Sequence, residues 1–352
     1  MSWYTTEGAD NLHVIRSETQ YIRNITALPF SSKMSSKQLS DLSEKAEKIL
    51  NANGFKKEQI GQSPANIASY AEKGFLDANL CDSYSANTSF SLYFNEPCSL
   101  AVTVGGRDHL TIRSLLSGRA VTETRSIAIE AEELFDRQFE FAYSPSFGYL
   151  SPSLNRCGSG EYFSAILFLP AAAKLGEIDK IALKCQNFGA KLTPMFTHPK
   201  NSGDMYHLSF SPHFLTDSAS CARGFDALIS SVIEKEKLYE GIILEEKRKI
   251  IIDSAHRAFG TLLFAKRISE DEMLSHISSI RLNYADISNE TDSPPVSLSS
   301  LNLLLAEGLN SSILSSSPKI SCEEELEERR AEFIKTLLSA EKSNQRPIPS
   351  AK

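Results

Sequence analysis

Between Ser36 and Ala52 the apolar positions Leu39, Leu42, Ala46, Ile49 and Leu50 recur at helical spacing, and the run stops at Asn53-Gly54, a C-cap signal. An amphipathic helix is predicted there. Short β-rich runs bounded by Asn, Pro and Gly follow at Ser89–Tyr93 and Ser99–Val104, and Tyr162–Leu169 is almost continuously apolar and aromatic. Ile181–Cys185 and Met205–Phe210 read as two more strands, with helical periodicity at Ser126–Phe139 and Cys221–Glu236. Strands mixed with helices but without a regular βαβ rhythm predict an α+β sheet domain rather than a doubly wound one.

The pattern then changes character. Glu234–Lys266 and Glu270–Arg281 are helical throughout, with Ile242, Ile243, Ile250, Ile251, Ala255, Ala258 and Leu262 forming an apolar stripe among Lys, Glu and Arg. A Ser-rich linker around Asp292-Ser293-Pro294-Pro295 leads to a short helix at Ser300–Leu309. The last helix runs from Glu323 to about Ala340, with acidic residues at its N-terminus and a Glu325–Arg329 pair at i,i+4. The tail Lys342–Lys352, with two prolines, is expected to be disordered. The expected division is a sheet domain over 1–238, a helical domain over 239–341 and the tail over 342–352. A lone helix cannot bury the whole isoleucine stripe, so either a symmetric second copy or the chain's own sheet domain must cover it, and a homodimer is expected.

A formal charge of -7 and a pI near 5.6 argue against a nucleic-acid or anionic-membrane binder, which would show a basic surplus. The N-terminus has no basic segment followed by an apolar one, and the most apolar run, Tyr162–Ala173, is interrupted by Pro170 and falls well short of the ~20 residues that span a bilayer. A cytoplasmic protein is expected. The six cysteines show no CxxC pair and no His at ligand spacing, so no metal site and no disulfide framework is expected.

Phe147-Gly148-Tyr149-Leu150-Ser151-Pro152-Ser153-Leu154-Asn155-Arg156-Cys157-Gly158-Ser159-Gly160, followed by a strand ending Leu169-Pro170, resembles without a gap the phosphagen kinase signature G-Y-L-T-x-C-P-T-N-L-G-T-G. Three stretches fall in the same family's order: Val14–Phe30 with Arg23-Asn24-Ile25 and Pro29-Phe30, Val104–Arg113 with Asp108-His109-Leu110, and Gly203–Ser211. Further on, Arg257-Ala258-Phe259-Gly260, Ala265-Lys266-Arg267 and Ser279-Ile280-Arg281-Leu282 resemble the helical domain of bacterial protein-arginine kinases, a branch of the ATP:guanido phosphotransferase family. The resemblance implies a guanido-kinase, glutamine synthetase-like antiparallel sheet flanked by helices, plus a helical domain that dimerises.

Phosphoryl transfer from ATP to a guanidinium needs cations around the phosphates, Mg²⁺, and a carboxylate to orient and deprotonate the acceptor. The resemblance places the family's phosphate-binding arginines at Glu18, Gln20, Thr111, Tyr162 and Met195, its catalytic glutamate at Arg107, its reactive cysteine at Ser153, and its second substrate glutamate near Lys200. Gly158, Ser159 and Gly160 keep the small loop beside the nucleotide. An anion beside triphosphate repels it, and a guanidinium cannot act as a base. Arg16, Arg23, Arg107, Arg113 and Arg156 are the nearby cations from which a replacement clamp could be built, though most of them read as solvated or salt-bridged surface residues. The phosphoarginine-sensing R-D-x-x-R-A motif of the family falls on Leu326 to Ala331 and keeps its second arginine as Arg330, with Leu326 in place of the first.

Two functions follow from the resemblance. One is a pseudokinase with a regulatory or scaffolding role, requiring no cofactor, whose partner is an active arginine kinase, a McsA-like adaptor or a Clp component. The other is a working guanido kinase with a rearranged site that uses ATP and Mg²⁺.

Overall fold

A computed structural model describes residues 2–60, 63–77, 80, 90–96, 98–196, 203–284 and 296–344. Its centre is one eight-stranded sheet, ordered β2-β3-β4-β5-β1-β8-β10-β9, with every neighbouring pair antiparallel. The strands are β1 Val14–Arg23, β2 Lys56–Lys57, β3 Phe90–Phe94, β4 Leu100–Gly105, β5 Leu110–Ser117, β8 Glu161–Phe168, β9 Lys191–Pro194 and β10 Met205–Phe210. Strands β6 Tyr143–Ser144 and β7 Gly148–Tyr149 form a separate ribbon. The helices are α1 Ser36–Ala52, α2 Pro64–Glu72, α3 Val121–Asp136, α4 Pro170–Lys174, α5 Ile178–Phe188, α6 Ser218–Phe264, α7 Glu270–Leu282, α8 Leu298–Glu307, α9 Asn310–Ser316 and α10 Glu323–Asn344. The architecture is α+β with a helical C-terminal region, as the pattern predicts.

Helix α1 has the predicted bounds because both ends are specified locally. Ser35 and Gln38 exchange hydrogen bonds in a capping box, and Leu42, Ala46 and Leu50 are buried along one side. Residues 181–185, expected as a strand, are instead part of helix α5. Ile181 and Cys185 are buried one turn apart while Leu183 between them is 59% exposed, so an i,i+4 pair had mimicked alternation. Gly189, at φ 92°, ends the helix in the left-handed conformation. Cys221–Glu236 and Glu234–Lys266 prove to be one helix, α6, interrupted only at Lys247 (φ -133°, ψ 17°), so residue 238 falls inside a helix.

The central strand β1 is buried at every position although Ser17, Glu18, Thr19 and Gln20 are polar. One face of the sheet packs on α1, α3, α5 and the first half of α6. The other face carries a core in which Ile15, Leu92, Leu115 and Ile166 from the sheet meet Leu262, Ile277, Leu301 and Ile334 from the C-terminal helices. The helical region thus lies against the sheet, and Ile243, Ile251, Ala255 and Ala258 of the apolar stripe are buried within the chain, whereas Ile242 and Ile250 are 48% and 71% exposed. Cys81, Ser89, Lys200, the linker at Pro294-Pro295 and 345–352 lie outside the described residues. Lys342–Asn344, assigned to a disordered tail from sequence, continue α10.

Candidate functional site

Register brings the separated motif positions together. Glu18 and Gln20 on β1 lie opposite Leu115 and Arg113 on β5 and opposite Ser164 and Tyr162 on β8, and Thr111 faces Ile22. Side chains alternate along a strand, so Glu18, Gln20, Thr111, Arg113, Tyr162 and Arg16 share one face. Met195 follows β9 and donates its N–H to Met205 O at 2.9 Å. Arg107 is exposed in the turn between β4 and β5, and Ser153 precedes a short 3₁₀ turn, Leu154–Arg156.

The shared face is charged and internally paired. Glu18 accepts from Arg113 Nη1 at 2.8 Å and lies 3.8 Å from Arg16 Nη2. Arg113 Nη2 also donates to Asp77 at 2.5 Å, and Arg156 Nη2 stands 3.5 Å from Asp77 and 3.6 Å from Asp108. Burial alone would push the Asp77 carboxyl up, but Arg113 and Arg156 outweigh it and hold it below its ordinary value. Arg16 donates to Lys73 O at 2.6 Å. Burial lowers its pKa against the pull of Glu18. The segment after α2 therefore lies directly on the face. Its Gly74, at φ +86°, has no room for a side chain, since a Cβ would stand 2.4 Å from the Arg16 guanidinium.

The remaining cations are spent elsewhere. Arg23, on the opposite face of β1, is buried over the Tyr149 ring at 3.6 Å and bonds Glu132 at 2.7 Å. It also donates to Gly160 O at 3.2 Å and Ser159 O at 3.4 Å, so the Gly158-Ser159-Gly160 loop directs carbonyls at a guanidinium of the chain. Arg16, Arg23 and Arg113 are thus buried, which corrects the expectation of surface residues. Position 153 itself carries a hydroxyl, and the loop's thiol, that of Cys157, lies 3.5 Å from Ser151 O. Arg330 is buried in α10, donating to Gly308 O and Ile268 O at 2.8 Å each and to Asn310 Oδ1, which leaves it no free donor fork for a phosphate.

The motif residues that the chain retains form its framework. Asp108 accepts from Asn24 Nδ2 at 2.7 Å and Ser151 Oγ at 2.8 Å. His109 Nδ1 accepts from the Ile25 N–H at 2.9 Å and its Nε2 lies 2.9 Å from Pro29 O, which fixes the neutral Nε2–H tautomer. Burial lowers the His109 pKa in the same sense. Three sequence-distant motifs are thereby knotted into one buried network.

Beside the face, a cavity of about 890 Å³ opens between the sheet and the helical region, lined by Arg16, His207, Met195 and Phe196 on one side and by Glu72, Glu270, Asp271, Glu323 and Glu327 on the other. Its carboxylates make it a poor host for polyanions. Burial lowers the His207 pKa, so this imidazole adds no cation.

Residues 32–239, more than half of the chain, match the family model described as ATP:guanido phosphotransferase, C-terminal catalytic domain. The chain belongs to the ATP:guanido phosphotransferase family. It is 23% identical over 345 residues to a protein-arginine kinase of Halothermothrix orenii, covering 96% of each chain. To a protein-arginine kinase of Brevibacillus brevis it is 22% identical over 289 residues, covering 80% of each. Among solved structures, lombricine kinase superposes with a TM-score of 0.54 at 14% identity, covering 67% of this chain and 70% of that one. The duplicated taurocyamine kinase of Schistosoma mansoni, determined with bound transition-state analogue components, gives 0.56 at 15% identity over 74% of this chain and 39% of its own. These structures share the guanido-kinase fold.

For an ATP:guanido phosphotransferase, ATP and Mg²⁺ are the implied cofactors, and the residues of this face do not fit them. Three guanidiniums, Arg16, Arg113 and Arg156, stand there, but Glu18, Asp77, Asp108 and the Lys73 carbonyl already engage them. Arg107, where the family resemblance expects the catalytic glutamate, cannot accept a proton. Sequence reasoning missed Asp77 altogether, because its pairing with Arg113 arises only when the loop after α2 folds onto the sheet.

Proposed function

We propose that this chain is a pseudokinase of the ATP:guanido phosphotransferase family, retaining the fold and acting as a regulatory or scaffolding partner instead of transferring phosphate. The observation that carries the reading is the charge network Arg16–Glu18–Arg113–Asp77–Arg156–Asp108, in which each of the three guanidiniums described on the face is paired with a carboxylate of the chain itself. A triphosphate would have to displace Asp77 while remaining beside Glu18, at a cost of several kcal/mol for stripping buried ion pairs. The alternative, a working kinase with a rearranged clamp, needs these arginines to be free. Calorimetric titration with ATP and Mg²⁺ tests the choice: no saturable heat is expected in the micromolar range, roughly -8 kcal/mol of binding, and a micromolar dissociation constant would refute the reading.

The proposed self-association is supported by the exposed face of α6, and the proposed protein partner by the resemblance alone. Leu238, Ile242 and Ile250 are 69%, 48% and 71% exposed on α6, flanking the charged run Glu245-Glu246-Lys247-Arg248-Lys249. An antiparallel pairing with a second copy about residue 246 sets Ile242 against Ile250 and Glu245 against Lys247 of the other chain, with Glu246 at the two-fold axis. A cytoplasmic homodimer that holds an active arginine kinase, a McsA-like adaptor or a Clp component is the assembly this supports.

A further inference from the structure

Among the described residues, two buried donors on the charged face have no acceptor. Gln20 Nε2 and Arg113 Nε are shielded from solvent without a hydrogen-bond partner, and the two residues are directly opposite in the β1–β5 register. Gln20 is 9% exposed and Arg113 5%. Each such orphan costs about 1–3 kcal/mol, so two of them side by side, next to guanidinium groups, describe a place suited to an additional acceptor. The chain already supplies one acceptor to the same cluster: Asp77 takes Arg113 Nη2 at 2.5 Å with one oxygen and approaches Arg156 Nη2 at 3.5 Å with the other. Arg16, Arg113 and Arg156 are balanced by Glu18, Asp77 and Asp108, so withdrawing Asp77 leaves one net positive charge.

We infer that Asp77 is an internal stand-in for a phosphate-sized oxyanion, and that Gln20, Arg113 and Arg156 form an oxyanion-binding site which opens when the Lys73–Asp77 segment moves aside. A tetrahedral oxyanion offers acceptors to the Arg113 and Arg156 guanidiniums that Asp77 vacates and to the unpartnered Gln20 amide, and no bond is made or broken. The inference rests on reading this face as one that does not transfer phosphate. It assigns the face a sensing role, in which anion binding is coupled to the position of the α2 loop. That loop is tied to the helical region through Lys73–Glu307 at 2.8 Å, and α2 through Ser69–Ser312 at 2.9 Å, so a ligand at the sheet would be felt by α8 and α9.

The chain has its own reporter. Trp3, its single tryptophan, donates its indole N–H to Lys73 O at 3.0 Å, and the Arg16 guanidinium lies 5.1 Å from the ring. The test is titration of wild-type and Asp77→Asn protein with inorganic phosphate, followed by calorimetry and Trp3 fluorescence. Phosphate should bind Asp77→Asn at least about tenfold more tightly than wild type, because the competing carboxylate charge is gone, and adding Arg156→Gln should abolish the gain. A folded Asp77→Asn protein with no saturable binding, or with binding indifferent to Arg156→Gln, overturns the inference. If Asp77→Asn does not unfold cooperatively on heating, wild type taken to high phosphate decides. A saturable Trp3 change absent from Arg156→Gln supports the site, and no such change overturns it. Tripolyphosphate and ATP form a second arm on the variant: equal affinity assigns the site to the oxyanion alone and tighter ATP to a nucleotide, and either supports it. Phosphoarginine formed by the wild type would overturn the pseudokinase reading while leaving the phosphate-binding result untouched.

Discussion

Glu18 concentrates the chemistry of the face. At a position where the family resemblance expects an arginine, it sits between Arg16 and Arg113, and all three are more than nine-tenths buried. Replacing it by glutamine leaves two buried guanidiniums without their shared counter-charge. Glu18→Gln should therefore destabilise the fold by about 3 kcal/mol, seen as a lower urea midpoint with an unchanged m-value. A loss within error of zero would mean that Asp77 alone balances the arginines. Glu72, on the cavity wall, makes a pH-dependent contribution of the opposite sign from an ordinary ion-paired carboxylate. Burial pushes its carboxyl up to about 7 from 4.5, the Ser311 hydroxyl pulls it down, and Glu270 pushes it up again. The folded state therefore takes up a proton there, and the stabilisation is complete below pH 4.5 and lost as pH rises through about 7. Wild-type melting temperature should fall over that window, and Glu72→Gln should flatten the fall. Glu18, Gln20, Thr111 and Tyr162, singled out by motif order, share one face of the sheet because the β1–β5 and β1–β8 registers set them side by side. Asp77 and the buried state of Arg16 and Arg113 could not be read from the sequence, since both depend on a loop whose partners lie far away in the chain.

Elements with strong local signals matched their predicted positions, and those defined by tertiary burial did not. Helix α1 carries its own capping box, whereas β1 hides four consecutive polar residues in the middle of the sheet and has no pattern that marks it as a central strand. Helix α6 shows the same limit: the Ile242-Ile243 and Ile250-Ile251 pairs look alike in sequence, yet Ile243 and Ile251 pack with Ala171 while Ile242 and Ile250 face outward. The proposed dimer can be tested on the outward pair without touching the core. Ile242→Glu with Ile250→Glu should give monomers in sedimentation with melting unchanged, whereas Ile251→Glu buries a charge and should cost about 3 kcal/mol or more. Wild-type protein sedimenting as a monomer of 38.9 kDa would refute the self-association.

Over the molecule as a whole, the retained motif residues are built into the framework of the fold, and the pseudokinase proposed above rests on the ion pairs of the charged face. Asn24, Asp108, His109 and Ser151 tie the motif segments together, and Arg16 and Arg113 grip carboxylates and a carbonyl of the same chain. The helical region packs on the same side of the sheet as the charged face and shares one hydrophobic core with it. The most direct test is incubation of the purified protein with ATP, Mg²⁺ and an arginine-rich protein, followed by assay for acid-labile phosphoarginine. No phosphoarginine above the level without enzyme is the predicted result, and robust arginine phosphorylation would contradict the account.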